Sequence, residues 1–211
     1  MWLPAMRGRT GTAPPGSLAA ANTASLEAFP ERTPGVLAEG IVRHARAFTA
    51  AAEQRSPGEG AVTPLGPMDL ATLGSYLLTH MLGHGYDIAV ALRRPHMIER
   101  DFAGMTLPFL RLAMPRVLSA RATSHNACYE LRLRGAASGS SFAVTFADGA
   151  VTVTSELPRR PDCTIAMEPV TFLLVALGRR TAAGAMVRGK VLAWGRKPWL
   201  APGFPELFTA P

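Results

Sequence analysis

Cysteine is nearly absent from this chain. Two residues, Cys128 and Cys163, among 211 cannot build a disulfide framework, and they lack the C-x-x-C spacing of zinc or redox motifs. Each reads as a small buried apolar residue. Long apolar runs are missing too. The longest candidate, Phe172 to Leu177, falls far short of the roughly 18–20 residues that a spanning helix needs, so no membrane span is expected. The first residues, Met1 to Arg7, place their apolar side chains before their charge and have no extended core of a secretory signal. A cytoplasmic location is the expectation. Acidic residues are also scarce, 15 against 22 Lys and Arg, for a formal charge of +7. That surplus invites a nucleic-acid reading, but Arg7, Arg9, Arg43, Arg46, Arg93, Arg94, Arg132, Arg134, Arg179 and Arg180 are scattered without an aromatic-interleaved stripe. Nucleic acid is therefore not an expected partner, whereas acidic small molecules and charged surfaces remain compatible.

What is present is an ordinary globular composition. Hydrophobic residues make up 48% of the chain and its mean hydropathy is +0.14, which separates it from disordered segments. Its length allows one large or two small domains. Residues 8–16 read as a loop, and Ser17 as the N-cap of a short helix that stops before Pro30. A second helix is capped by Thr33, has Pro34 at its first position, and carries Leu37, Ile41, His44, Phe48 and Ala51 at helical spacing. Residues 55–67, rich in Pro and Gly, break the chain. Asp69 then caps the strongest helix, with Met68 and Leu73 at staple positions and Arg93, Arg94 and Pro95 closing it. Leu70, Leu73, Leu77, His80, His84 and Ile88 are its expected inward stripe. A less regular helical region runs from about Ile98 to Leu118, interrupted at Pro108 and Pro115.

Near residue 120 the period changes from helical to alternating, and the boundary is set there: a helical domain over 1–119 and an α/β domain over 120–211. Tyr129, Leu131 and Leu133 form one strand face, and Phe142, Val144 and Phe146 a second. Val151 and Val153 follow the Asp148-Gly149 turn. Cys163, Ile165 and Met167 mark a fourth strand, Pro169 opens a helix through Leu177, and Arg188 to Trp194 reads as a fifth strand. Strands followed by packed helices predict an α+β layer with an antiparallel-rich sheet.

His80 and His84 lie four apart on one helix, so both imidazoles leave the same face about a turn apart. That spacing suits a divalent metal, zinc before others, although a catalytic site needs about three protein ligands and an open position. The alternative is a pair of hydrogen-bonded core histidines. Asp87, three residues beyond His84, either orients that imidazole from behind the metal or pairs with Arg93 or Arg94. His44 is a candidate for a third ligand. His96 and His125 read as solvated or structural residues rather than ligands.

The segment Thr79-His80-Met81-Leu82-Gly83-His84-Gly85-Tyr86-Asp87-Ile88 resembles the third-helix motif of the mycothiol-dependent maleylpyruvate isomerase family, whose N-terminal domain is a DinB-like four-helix bundle. His84 and Asp87 match the motif's His and Asp, and His80 stands where the family has Glu. Pro161-Asp162-Cys163-Thr164-Ile165, Leu177-Gly178-Arg179 and Arg188-Gly189-Lys190-Val191 are similar to segments of the sterol carrier protein type domain that accompanies such bundles. The family's first helix, with its metal histidine, has no counterpart here. The resemblance thus implies a partial DinB-like bundle, truncated at its N-terminus, followed by a sterol carrier-like α/β sandwich. A homodimer is one way to cover the groove that the missing helix would leave.

Two functions follow. In the first, the resemblance implies a metal- and mycothiol-dependent, maleylpyruvate isomerase-like isomerase or transferase acting on a small-molecule substrate, in which His80 and His84 hold the metal, Asp87 orients His84 and Arg188 binds a substrate carboxylate. In the second, the chain is a non-enzymatic protein holding an apolar ligand in its sterol carrier-like domain, or a relative whose metal site is lost.

Overall fold

The computed structural model describes residues 23–24, 26–63, 65–135 and 140–209. The expected loop at 8–16 and the Ser17 cap lie outside them, and residues 26–28 end in a helical turn before Pro30, as expected. The chain divides into two compact units, Met1–Leu73 and Gly74–Pro211. The limit expected near residue 120 falls inside the second.

In the first unit, α1 spans Pro34–Ala52, with Thr33 extended at its N-cap and Pro34 at the first position. The missing amide of Pro34 costs nothing there, because the first turn leaves its donors unpaired anyway. None of the helix's 19 side chains is buried. The predicted break at 55–67 contains a hairpin that helical and breaker signals do not reveal. Strand β1 (Gly60–Thr63) pairs antiparallel with β2 (Gly66–Asp69), Ala61 opposite Met68. Asp69 ends the hairpin and also caps the next helix, its Oδ1 accepting from the Thr72 amide at 2.6 Å. This is the cap that the sequence predicts.

Helix α2 runs over Leu70–Ala91. In the second unit its buried positions are Ser75, Thr79 and Gly83, four apart and so on one face. The expected inward stripe is overturned there: Leu77 and Ile88 are 37% and 59% exposed, and His80 and His84 are exposed with them. Size and hydrogen bonding decided the rotation, not hydropathy. Ser75 Oγ donates to the Met105 carbonyl at 2.8 Å and accepts from the Phe109 amide at 3.1 Å. The Thr79 hydroxyl donates to the Ser75 carbonyl. A Cβ added to Gly83 would lie 3.0 Å from Leu177 Cδ1, so the small stripe admits a neighbour that Leu would hold off. Short helices α3 (Arg100–Gly104) and α4 (Leu107–Ala113) follow.

Five strands form one sheet: β3 (Ala127–Leu133), β4 (Ser141–Ala147), β5 (Ala150–Thr154), β6 (Cys163–Met167) and β7 (Val191–Trp194), in the order β5-β4-β3-β6-β7. Three of its pairs are antiparallel, and β3 with β6 is parallel. The antiparallel-rich sheet is as expected. Asp148 and Gly149, at φ 52° and 76°, join β4 to β5 with both central residues left-handed, as a tight hairpin turn requires. One face presents Tyr129, Leu131, Phe142, Val144, Phe146 and Ile165, each at most 2% exposed. Helix α5 (Pro169–Ala176) covers it with Phe172, Leu173 and Leu174, and the Phe142 and Phe172 rings meet edge-on at 6.0 Å. The C-terminal residues close the far end, Phe204 against Tyr129 and Phe208 against Phe146. Short 3-10 turns at Pro198–Leu200 and Phe204–Leu207 make up this terminal stretch.

The strand expected from Arg188 begins only at Val191, because α6 (Ala182–Val187) precedes it. Gly189, at φ 67°, ends α6: its amide donates to the Met186 carbonyl and that of Lys190 to the Ala185 carbonyl. Gly178, at φ 69°, ends α5 in the same way, through Val175 and Leu174. The two glycine motifs quoted above are thus helix exits that need a left-handed residue.

Candidate functional site

Two places in the second unit hold polar side chains against the sheet or its helices. The first is the far half of α2. His80 and His84 stand side by side, ring centroids 5.8 Å apart, as the four-residue spacing dictates. Tyr76 packs on the edge of His80 at 4.5 Å and on Phe109. Partial burial under that ring lowers the His80 pKa, and the neighbouring His84 lowers it further, so the His80 imidazole favours its neutral, ligating form. Asp87 is committed elsewhere. Its carboxylate takes a two-pronged contact from Arg179, at 3.1 Å and 2.7 Å, while His84 Nδ1 stays at 3.9 Å. Arg179, first of all by that hydrogen bond, holds the Asp87 carboxyl below the ordinary carboxylate range. Neither Arg93 nor Arg94 is its partner. Arg179 sits where it does because Gly178 turns the chain out of α5, so the helix exit and the ion pair are one local design.

The remaining predicted site residues are His44 and Arg188. His44, on α1 in the other compact unit, is exposed and donates from Nδ1 to the Gly40 carbonyl at 2.7 Å. Arg188 is exposed at the end of α6, its guanidinium near Gly184. Among the described residues no group of three His, Cys, Asp or Glu side chains converges to hold a metal. The two imidazoles with a committed Asp87 fall short of the roughly three-ligand shell that a catalytic zinc requires.

The second place is one end of β3 and β6. His125 Nε2 and the Tyr129 hydroxyl are 2.8 Å apart, and burial pushes the tyrosine's pKa upward. Asp162 accepts from the Cys128 amide at 3.0 Å and pairs with Lys197 at 3.1 Å. Those hydrogen bonds keep its carboxyl below the usual range. The Cys163 thiol, fully buried beside them, is pushed up to about 11 chiefly by burial, so it is a neutral packing group and no thiolate nucleophile. The cluster fixes the start of β6, and the expected Pro161-Asp162-Cys163 motif is its chain trace.

Between the sheet and α5 the apolar side chains are packed against one another. No buried side-chain nitrogen or oxygen among the described residues lacks a hydrogen-bond partner. Leu131, Phe142, Phe172, Leu173 and Leu174, each at most 4% exposed, make that layer predominantly apolar. Neither the Ser75 and Thr79 contacts nor the parallel β3–β6 pairing carries a signal in hydropathy; the spacing of small residues at 75, 79 and 83 is the one trace the sequence offers.

Residues 110–195 match the family model described as the SCP-2 sterol transfer family. The match takes in all five strands of the sheet with α5 and α6, and less than half of the chain. Among solved structures, the chain is similar to the stereoselective inverting sec-alkylsulfatase from Pseudomonas sp., at 18% identity and a TM-score of 0.41 over 51% of this chain and 16% of that one. It is similar also to sterol carrier protein 2 from Yarrowia lipolytica, at 16% identity and 0.38 over 49% and 90%, and to sterol carrier protein 2 like 2 from Aedes aegypti, at 16% and 0.37 over 49% and 97%. The chain thus spans about a sixth of the sulfatase's length. No curated protein matches it.

Proposed function

We propose that this protein binds a small apolar or amphipathic ligand through its sterol carrier-like domain and delivers it without chemical change. The observation that carries this reading is the family match over residues 110–195. The apolar layer between the sheet and α5 supports it, since Leu131, Phe142, Phe172 and Leu173 offer a surface that an uncharged hydrocarbon or sterol body satisfies. These side chains pack on one another in the absence of ligand, so uptake requires α5 and α6 to move away from the sheet. Such a motion is suited to short helices that leave on glycines, Gly178 after α5 and Gly189 after α6.

The test is saturable binding of an uncharged fluorescent sterol by the full chain, read by emission and by melting. A ligand at a hundred times its dissociation constant should stabilise the fold by about 2.7 kcal/mol. A flat titration with the sterol and with a fluorescent acyl alcohol would reject the reading.

The paired imidazoles favour a second one. Here His80 and His84 hold a divalent metal, zinc first, whose other ligands come from solvent or from a thiol such as mycothiol, and the chain is isomerase- or transferase-like with Arg188 receiving a substrate carboxylate. Zinc titration separates the two: binding lost in both His80→Ala and His84→Ala supports it, and binding unchanged in the double variant removes it.

A further inference from the structure

The sheet's other face is not covered by α5 or α6 and carries a different chemistry. Its central residue, Glu130 on β3, is a carboxylate with only 3% exposure, an unfavourable place for a charge unless it is paired and hydrogen-bonded. It is both. Arg132, two residues along and so on the same face, reaches its two oxygens at 2.8 Å and 3.1 Å. The Thr164 hydroxyl on β6, directly across the parallel pair, donates to Oε2 at 3.1 Å. The Arg132 guanidinium lies 5.6 Å from the centroid of the Trp194 ring. Acid, base, hydroxyl and indole thus form a floor whose groups hold one another in place.

Above that floor is an open cleft of about 640 Å³, bounded by Leu157, Arg159, Arg160 and Arg196. These three arginines are exposed, and none makes a salt bridge among the described residues. Four guanidinium groups therefore line a cleft that contains one carboxylate, and Arg132 already neutralises it. Arg196 also acts on the neighbouring Asp162, but that carboxylate is already paired with Lys197, so the cleft keeps a surplus of positive charge that an anion would relieve. Trp194 and Leu157, 43% and 48% exposed, add an apolar wall to the same cleft, where water is their present neighbour. A guanidinium cluster beside an indole and a leucine matches a ligand with a small anionic head and a short apolar body.

We propose that this cleft, on the side of the sheet away from α5 and α6, binds the carboxylate, sulfate or phosphate head of a small amphiphile, with the body of that ligand against Trp194 and Leu157. Arg159, Arg160 and Arg196 receive the head. Glu130 keeps Arg132 in its stacked position and sets the floor. The site is separate from the apolar layer of the proposed carrier function and stands without it.

Octyl phosphate below its micelle concentration is the probe, with octanol and inorganic phosphate beside it, measured by calorimetry and by tryptophan emission on the full chain. Octyl phosphate should bind and change the Trp194 emission, octanol should leave that emission unchanged even where it enters the apolar layer of the carrier reading, and inorganic phosphate should bind at least tenfold more weakly. The triple variant Arg159→Gln, Arg160→Gln, Arg196→Gln should lose about tenfold in affinity and most of the salt dependence. These side chains are exposed, so the variant should melt as the parent does and still take up the uncharged sterol if the carrier reading holds. Trp194→Phe provides a second readout: it should abolish the emission change while weakening binding only a few-fold. Equal affinity for inorganic and octyl phosphate, a Trp194-dependent emission change with octanol equal to that with octyl phosphate, or an unchanged triple variant would each overturn the proposal. So would binding of duplex DNA that the triple variant loses while octyl phosphate does not bind.

Discussion

Helices α1 and α5 open in the same way, on a proline at the first position behind an extended residue, and then part company. The longer has 19 residues, not one of them buried; the shorter has eight and buries six, Pro169, Thr171, Phe172, Leu173, Leu174 and Val175. Length therefore says little about what holds either one. An isolated helix of that size is marginal in water, and in proteins most helical stability comes from the packed face. The apolar side chains of α1, Leu37, Ile41 and Phe48, lie on one side of a wheel whose other side carries Glu39, Arg43 and Arg46. That pattern produces the amphipathic signal without saying what the apolar side meets. In α5 apolar residues run almost all round, which is the mark of a helix enclosed by its own domain.

The sharpest way to break this comparison is to remove the same kind of side chain from each helix. Leu174→Ala deletes a side chain with no exposure and should cost about 2–5 kcal/mol, the range for a buried Leu leaving a cavity. Ile41→Ala deletes one that is 49% exposed and should cost less than about 1 kcal/mol. Urea unfolding followed by circular dichroism measures both. Equal losses would mean that α1 is as enclosed as α5 and that the contrast is false.

A smaller effect tests the two faces of α2. Gly83→Leu places a large side chain where a Cβ already meets Leu177 at 3.0 Å, and overpacking of this kind costs about 1–3 kcal/mol. Leu77→Ser, on the face that was expected to be buried, should stay within about 1 kcal/mol. If the serine variant proves the more damaging, the inward face is the histidine stripe after all.

How much of this was legible follows from what periodicity can encode. Strands β3, β4 and β5 were legible because one face is apolar and the Asp148-Gly149 turn fixes their register. The extent of β6 was legible, but its parallel pairing was not: all five residues from Cys163 to Met167 are buried, so no alternation reveals a partner or a face. Helix α6, Ala-Ala-Gly-Ala-Met-Val, is too short and too small-residued to show a period. The burial of Glu130 was not legible, because nothing local in the sequence announces that Arg132 and Thr164 will enclose it. The histidine stripe failed for a specific reason. Hydropathy ranks Leu77 above Gly83, whereas close helix approach and the hydroxyl contacts of Ser75 and Thr79 prefer the smaller residue.

The acid branch of the stability curve distinguishes the two polar places of the second unit. His80 and His125 both have folded pKa values below the ordinary 6.5, in each case by burial first and then by a neighbouring charge, His84 and Lys197 respectively. The unfolded chain then binds more protons than the folded one as pH drops, so stability is complete above about 6.5 and declines as pH falls through 6.5 toward the folded values. Asp87 and Asp162, whose folded values are depressed, add a later loss that begins only as pH falls below their unfolded 3.8. Melting temperatures should hold from pH 8 to about 6.5 and fall from there to 5, and His125→Asn and His80→Asn should each flatten that fall. A slope untouched by His125→Asn would place the proton uptake elsewhere.

The smallest effect concerns a helix exit that lacks its glycine. Helix α2 ends as α5 and α6 do, the Arg93 amide donating to the Val90 carbonyl and that of Arg94 to the Ala89 carbonyl, but the left-handed position is held by Arg93 at φ 53°. A side chain there crowds the following carbonyl, at a cost of about 1–2 kcal/mol relative to its preferred conformation. Gly178 and Gly189 occupy the equivalent positions at φ 69° and 67° without that crowding. Arg93→Gly should therefore stabilise the chain by about 0.5–1 kcal/mol, since glycine also loses more freedom on folding, and part of the favourable charge at the helix end is given up. Gly178→Arg should destabilise by a comparable or larger amount and, because Arg179 follows it, loosen the ion pair to Asp87. Thermal melts of the two variants decide the matter. A destabilised Arg93→Gly would show that the charge at the end of α2 outweighs the backbone conformation.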